Sequence, residues 1–359
     1  MDAMPGDRDK VLVAMSGGVD SSVAAGILRQ AGYDVTGVFL CLGMAGPADG
    51  GSRACCSAQD AADARRVAGV LGIDLYVLNL AEDFAGIVDY FAAEYARGRT
   101  PNPCIRCNAE IKFGRLLRHA DSLGVRYVAT GHHARIARFG DGLAVTRGRA
   151  RAKDQSYALF AVPRANLGRM LLPIGELEGK PAVRDIARSL GLQVHDKPDS
   201  QEVCFVPDDD YVSFLRARRP DALRPGAIVN SAGKVLGRHD GYARFTVGQR
   251  RGLRLGGMGE PMYVTGIDPV TAAVTVGPKA EVMTRRLRAS SANWHREVSG
   301  SFDAIVQIRY NHEGAAGRVR LSGPESFEVE FASPVSAVTP GQAAAVYDGE
   351  RLLGGGWID

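Results

Sequence analysis

Apolar positions in roughly the first 200 residues switch between two periods. Short runs rich in β-branched residues, at 11–15, 35–42, 75–80 and 127–130, read as buried strands. Between them, 21–32, 58–71, 84–97 and 111–123 carry apolar residues at helical spacing. Strands alternating with helices make a parallel sheet covered on both faces, so this half is expected to be a doubly wound α/β domain. The alternation stops at 196–201, where Lys197-Pro198-Asp199-Ser200 is a turn signal.

Beyond residue 206 the pattern changes. A short helix is expected at 211–218, followed by glycine-punctuated segments at 226–229 and 241–247 that suit a small mixed domain. From 282 onward, short alternating stretches at 302–310, 317–321, 326–331 and 343–347 suggest a compact β-barrel or sandwich. The expected division is therefore 1–207, 208–281 and 282–359.

Composition narrows the class. A chain of 359 residues exceeds what one core usually organises, and 45% hydrophobic with 23% charged residues is ordinary for a globular protein. No apolar run reaches the length of a membrane helix, and the polar start MDAMPGDRDK lacks the features of a secretory signal. A cytoplasmic monomer without membrane association is expected. The net charge of +4 permits a polyanionic partner without requiring one. Six cysteines in such a chain argue against a disulfide framework and leave metal, redox or nucleophilic chemistry as the alternatives to plain burial.

Candidate chemistry begins at Ala14-Met15-Ser16-Gly17-Gly18-Val19-Asp20-Ser21-Ser22, which follows an expected strand and opens an expected helix. Glycines let the backbone approach a phosphate, serine hydroxyls donate to it, and a helix N-terminus favours an anion. Asp20, an acceptor in an anion site, suggests Mg2+ between carboxylate and phosphates. No Gly-Lys-Ser/Thr follows, which excludes the Walker-type loop, whereas a capped Gly-Gly turn is the bland alternative.

Two loop regions carry further cysteines. Thr100-Pro101-Asn102-Pro103-Cys104-Ile105-Arg106-Cys107-Asn108 couples prolines to a C-x-x-C, expected as an exposed turn in which cationic Arg106 favours a thiolate. Asp199-Ser200-Gln201-Glu202-Val203-Cys204-Phe205 places another thiol where the α/β pattern ends. A zinc half-site at Cys104 and Cys107 is the structural alternative, but no second pair stands at a suitable spacing. Cys41 is expected in the core; Cys55 and Cys56 carry a weaker signal, and Asp60 and Asp63 are expected on a solvated helix face.

Ser-Gly-Gly-Val-Asp-Ser, Thr-Pro-Asn-Pro before a Cys-Asn, Thr-Gly-His, Lys-Asp-Gln-Ser-Tyr and Asp-Ser-Gln-x-x-Cys-Phe stand here in an order that resembles the tRNA 2-thiouridylases of the ATP-pyrophosphatase superfamily. The resemblance continues through Phe245-Thr-Val-Gly-Gln-Arg-Arg-Gly252, Ile308-Arg309-Tyr310 and Gly341-Gln342, nearly the whole chain. It implies an adenine nucleotide alpha hydrolase-like sheet, with ATP held by Ala14, Met15, Ser16, Gly17, Gly18, Val19, Asp20 and Ser21, Leu40 beside the adenine, and Gly131 lining the nucleotide.

By the same resemblance, Asn102, Pro103 and Cys104 meet the target base, and His132, Lys153, Asp154, Gln155, Arg309, Tyr310 and Gln342 contact tRNA, each with a solvated surface as its alternative. Cys107 is implied as the catalytic thiol and Cys204 as the persulfide carrier, charged by a cysteine desulfurase or sulfur-relay protein. Adenylation would turn a uracil carbonyl oxygen into part of a leaving AMP. Cys104 departs from members with an acidic residue there, which opens a second scheme in which Cys104, Cys107 and Cys204 ligate a [4Fe–4S] cluster. Two competing classes remain: synthetases that share the loop but transfer nitrogen, whose chemistry does not call for paired cysteines, and a non-catalytic RNA-binding protein with structural ATP.

Overall fold

The computed structural model describes residues 9–43, 58–198, 203–206, 210–257 and 259–359. They pack as two compact units: 1–86, 104–208 and 350–353 in the first, and 87–103, 209–349 and 354–359 in the second.

The first unit begins with β1 (Lys10–Ala14), α1 (Val19–Gln30), β2 (Asp34–Cys41), α2 (Ala58–Leu71) and β3 (Asp74–Asn79), close to the expected elements. Helix α3 (Ala81–Ala96) leaves this unit after Gly86. The chain returns through α4 (Pro103–Arg106), a π-helix over Cys107–Arg115 and α5 (Leu116–Ser122) to β4 (Tyr127–Ala129). A hairpin of β5 (Ala134–Phe139) and β6 (Gly142–Arg147) precedes the short β7 (Met170–Leu171) and α6 (Lys180–Ser189). The five-stranded sheet runs β3-β2-β1-β4-β7 and is parallel throughout. Val11, Val13 and Met15 pack under Val23, Ala24 and Leu28 of α1, Val67 and Leu71 of α2, and Val183 and Ala187 of α6. Strand order reverses at β1, so the crevice beyond the carboxyl ends of β1 and β4 is where an open α/β sheet receives a ligand.

In the second unit, α7 (Tyr211–Arg218) leads into β8 (Gly226–Asn230), β9 (Val235–His239), β10 (Tyr263–Asp268) and β11 (Ala273–Gly277), a mixed sheet ordered β10-β11-β8-β9. The 241–247 segment forms a short 3-10 turn at Tyr242–Arg244. Strands β12 (Met283–Trp294), β13 (Ser301–Gln307), β14 (Ala315–Gly323), β15 (Ser326–Ser336), β16 (Ala343–Asp348) and β17 (Arg351–Ile358) follow in the order β12-β15-β14-β13-β16-β17. Pairing of β12 with β17 at Ala289 and Ile358 closes them into a six-stranded barrel and leaves no open edge there. Glycines had hidden β17: a Cβ on Gly356 would stand 2.9 Å from the Ser290 oxygen and 3.0 Å from the Phe327 ring, so only glycine lets β12 cross so closely.

Residues 87–103 pack with the second unit. Tyr95 stacks on Tyr211, Phe91 meets Phe214 edge-on, and the Tyr242 hydroxyl donates to the Ala96 carbonyl at 2.7 Å.

Phe327 is fully buried in the barrel against Trp294, and replacing it by alanine should cost about 3–5 kcal/mol by loss of transfer energy and cavity formation, read as a lowered urea midpoint. A cost under about 1 kcal/mol would show that the barrel collapses around the gap.

Candidate functional site

The turn from β1 into α1 is built by backbone proximity. The Met15 amide donates to Val38 O at 2.9 Å, and Gly17 adopts φ +74° with its α-carbon face against the backbone of Asp60, where a Cβ would lie 2.9 Å from the Asp60 Cα. Serine hydroxyls tie the loop: Ser21 Oγ accepts from the Ser16 amide at 3.2 Å and donates to Gly18 O, and Ser22 Oγ donates to Gly18 O at 2.8 Å. Gly18, the N-cap, has no side chain with which to occupy the first-turn amides, which suits an anion there. Gly131 follows β4 and abuts α1 so tightly that a Cβ would stand 2.6 Å from the Ser21 amide nitrogen. Leu40 is half-buried near the carboxyl end of β2, opposite Leu78. The structure thus gathers residues 14–21 and Gly131 at the switch point of the sheet.

Charged residues for which the sequence suggested no role in the phosphate site surround this loop. Lys180, the first residue of α6, donates to both carboxylate oxygens of Asp20 at 2.8 and 2.7 Å, and buried His133 brings Nε2 to 3.4 Å from Asp20 Oδ1. Burial pushes the Asp20 carboxyl up, but His133 and Lys180 outweigh it and hold the group below its ordinary value. On the other side, Lys197 donates to Gly17 O at 3.0 Å, Asp60 Oδ1 at 2.7 Å and Asp63 Oδ2 at 2.6 Å. Asp60 and Asp63 are therefore not a solvated face: they bracket a lysine that also grips the loop backbone. Burial draws the Lys197 ammonium down, yet the two carboxylates raise it above its usual value. A cavity of about 430 Å³ lies beside them, lined by Asp63, Arg66, Val67, Leu192, Val194 and Lys197.

The cysteine segment is helical, not an exposed turn. Cys104 sits in α4 and is exposed, whereas Cys107 opens the π-helix and is buried. The widened turn ends with the Leu116 amide bonded to Ile111 O, and such helices recur at functional sites. Inside it, Asn108 Nδ2 donates to Ala158 O and Asn108 Oδ1 accepts from Lys112 Nζ, both at 3.0 Å. Burial pushes the Cys107 thiol up to about 12; Lys112 opposes this, while Cys204 and Cys104 add to it. The expected thiolate beside Arg106 is thus corrected: desolvation wins, Arg106 pairs with Glu110, and the cation acting on the thiols is Lys112. The protein around Cys104 and the neighbouring Cys204 also raise the Cys104 thiol, with Lys112 opposing. Cys104, Cys107 and exposed Cys204 are thus near enough to perturb one another's ionisation. Among the described residues, no group of three or more His, Cys, Asp or Glu side chains is arranged to hold a metal ion.

Other expected site residues divide between open and internal positions. His132 is buried, meets the Thr130 hydroxyl at 2.6 Å, and burial holds it neutral far below its ordinary value. Asp154 accepts from Arg147, the Gly148 amide, and the amide and hydroxyl of Ser156. Gln155 Oε1 accepts from the His133 amide at 2.9 Å, and Lys153 is half-buried. In the second unit, Gln342 Nε2 donates to Thr100 O at 3.0 Å, bracing the turn of half-buried Asn102 and buried Pro103. Arg309 and Tyr310 are exposed, their carbonyls held by Gln307 Nε2. Cys41 is half-buried at the end of β2 rather than in the core. Cys55, Cys56 and the residues 199–202 lie outside the described residues.

Family models match three stretches: a tRNA methyl transferase HUP domain at 9–208, a tRNA methyl transferase PRC-barrel domain at 212–278 and an aminomethyltransferase beta-barrel domain at 284–358. The chain is 46% identical to the tRNA-specific 2-thiouridylase MnmA of Rhodopirellula baltica, across 97% of this chain and 96% of that protein. It is 48% identical to the protein of the same description from Carboxydothermus hydrogenoformans, across 98% of each.

Iodoacetamide near neutral pH should label Cys104 and Cys204 well before Cys107, whose labelling should accelerate as pH rises toward its value of about 12. Peptide mass spectrometry reads the order, and equal rates would mean that Cys107 is open in solution. The Asp20 carboxyl, depressed on folding, contributes stability above its unfolded value that is lost as pH falls through the folded one. Asp20→Asn should therefore lower the urea midpoint at neutral pH and flatten its decline in acid; an unchanged pH profile would remove the stabilising role of the Lys180 pair.

Proposed function

Because the chain belongs to the tRNA-specific 2-thiouridylase family, we propose that it uses ATP to exchange the 2-oxygen of the wobble uridine of tRNA for sulfur. The observation that carries this reading is the occurrence, in one compact unit, of a serine- and glycine-built phosphate loop and three mutually interacting thiols. Synthetases that transfer nitrogen have no use for the thiols, and neither does a non-catalytic RNA-binding protein that keeps the loop for structural ATP.

On this reading Ala14, Met15, Ser16, Gly17, Gly18, Val19, Asp20 and Ser21 hold the phosphates, Leu40 borders the adenine and Gly131 lines the nucleotide. Asp20 fits Mg2+, which typically takes one or two carboxylates together with phosphate oxygens and would neutralise the developing charge. The uracil 2-oxygen attacks the α-phosphate and pyrophosphate leaves. The outer sulfur of a Cys204 persulfide then attacks C2, the C–O bond breaks and AMP departs. Cys107 next attacks the Cys204 sulfur: the bond to the base sulfur breaks, the base leaves with that electron pair and the Cys107 proton, and a Cys107–Cys204 disulfide remains. Alternatively, Cys107 attacks the persulfide first and releases sulfide, which displaces AMP, with the same disulfide left behind. In either order an external dithiol returns two electrons.

Burial suits the two cysteines to these parts. Exposed Cys204 is open to a sulfur donor such as a cysteine desulfurase or relay protein, and buried Cys107 stays protonated until a sulfur partner arrives. The alternative, in which Cys104, Cys107 and Cys204 would ligate a [4Fe–4S] cluster, is separated from the persulfide scheme by the iron test below. Asn102, Pro103 and Cys104 would meet the target base, with Lys153, Arg309 and Tyr310 on the tRNA. His132, Asp154, Gln155 and Gln342, placed with them on the tRNA by the family resemblance, would also shape those surfaces through their internal hydrogen bonds. We read 1–207 as the catalytic domain and 208–281 and 282–359 as tRNA-contacting domains of a cytoplasmic monomer.

Cys204→Ser and Cys107→Ser should each abolish 2-thiouridine in tRNA, measured by nucleoside mass spectrometry, while tRNA-dependent pyrophosphate release persists. Iron-free wild-type protein should remain active. Thiolation by Cys204→Ser, or a strict need for iron, would overturn the persulfide scheme.

A further inference from the structure

The Phe245–Gly252 motif has no part in the scheme above, yet with Arg254 it gathers three arginines within five positions, at 250, 251 and 254. All three are exposed, and no carboxylate, aromatic ring or hydrogen-bond acceptor among the described residues engages their side chains. Several other surface arginines of this unit are paired: Arg219 with Asp221, Arg318 with Asp303 and Arg320 with Glu328. An ordinary solvated face intersperses both signs, because like charges held together repel.

The loop that carries them is fixed in advance. Val247 O accepts from the Thr339 hydroxyl at 3.2 Å, the Gly248 amide donates to Val264 O at 2.8 Å, and the Val264 amide donates to Gln249 O at 2.9 Å. The Gln249 side chain closes the turn, accepting from the Thr246 amide and donating to Arg251 O, both at 3.0 Å. Buried Phe245 and Leu253 anchor it, and a Cβ on Gly248 would collide with the Ala337 side chain. Arg254 is held at φ +52°, a left-handed backbone that residues other than glycine seldom adopt. Such a loop presents its guanidinium groups without the ordering cost of a mobile segment.

The chemistry of the surface selects its partner. Between 250 and 257 the exposed residues are arginine and glycine alone, so there is no apolar centre of the kind a protein interface needs. Each guanidinium is a planar fork of donors that matches phosphate oxygens, and a chain of phosphates can occupy several forks at once. We propose that Arg250, Arg251 and Arg254 form a preset clamp on the phosphate backbone of tRNA, fixing how the nucleic acid lies without reading its sequence. This rests on the reading of the chain as an enzyme acting on tRNA.

The test is binding of unmodified tRNA to the full-length protein, followed by fluorescence anisotropy over a series of KCl concentrations. Arg250→Gln, Arg251→Gln and Arg254→Gln together should weaken binding about tenfold or more at about 100 mM salt. They should also flatten the slope of log affinity against log salt by about one for each arginine. Arg286→Gln, Arg318→Gln and Arg320→Gln remove the same charge from paired positions on the barrel and should keep the wild-type slope. Arg254→Gly relieves the left-handed backbone, so it should hold the urea midpoint while weakening tRNA binding, which separates loss of contact from loss of fold. A loop variant with unchanged affinity and slope would overturn the proposal, as would an equal loss in the barrel variant, which would reduce the effect to net charge. Wild-type protein with no affinity for tRNA would sink the underlying reading itself, whereas tight wild-type binding matched by the loop variant sinks only the clamp.

Discussion

Backbone meets backbone at the carboxyl edge of the parallel sheet, and the phosphate site depends on that constraint. Gly17 lies against the main chain of Asp60, and Gly131 lies against the amide of Ser21. At neither contact is there room for a methyl group. Any side chain would push α2 or the segment after β4 away from the start of α1 and widen the crevice. Two glycines far apart in sequence thus set the width of one anion-binding crevice.

Charge is arranged around that crevice with both signs paired in advance. Lys180 neutralises Asp20 on one side, and Lys197 neutralises Asp60 and Asp63 on the other while holding the Gly17 carbonyl. Two carboxylates left bare on α2 would repel a polyphosphate. Lys197 also stands seven residues before Cys204 in the chain.

The thiols show how burial and charge compete. Lys112 sits where it can favour a thiolate, yet desolvation of Cys107 dominates and keeps the proton on sulfur. A buried neutral thiol is inert toward casual oxidants and alkylators. Cys204 has the opposite setting and is open to collision. Cys107 and Asn108 are buried at the start of the π-helix, whereas Cys104, one turn earlier in α4, is exposed.

The sequence by itself determined the alternation that builds the parallel sheet, the loop from Ala14 to Asp20 and the two thiol motifs, because each is a local pattern of spacing and residue type. Strand β17 was not among the expected strands, since Gly354, Gly355 and Gly356 carry no alternating side-chain pattern; their purpose appears only where they pair with β12. Lys180 and Lys197 were unremarkable charges until folding carried them across 160 and 180 positions to Asp20 and Gly17. Asp154, Gln155 and Gln342 were expected on the tRNA, and that their side chains also hold Ser156, the His133 amide and the Thr100 carbonyl appears only in the folded chain. The ionisation of Cys107 was misread from the neighbouring arginine for the same reason: desolvation is a property of everything packed around a group, which no short stretch of sequence contains.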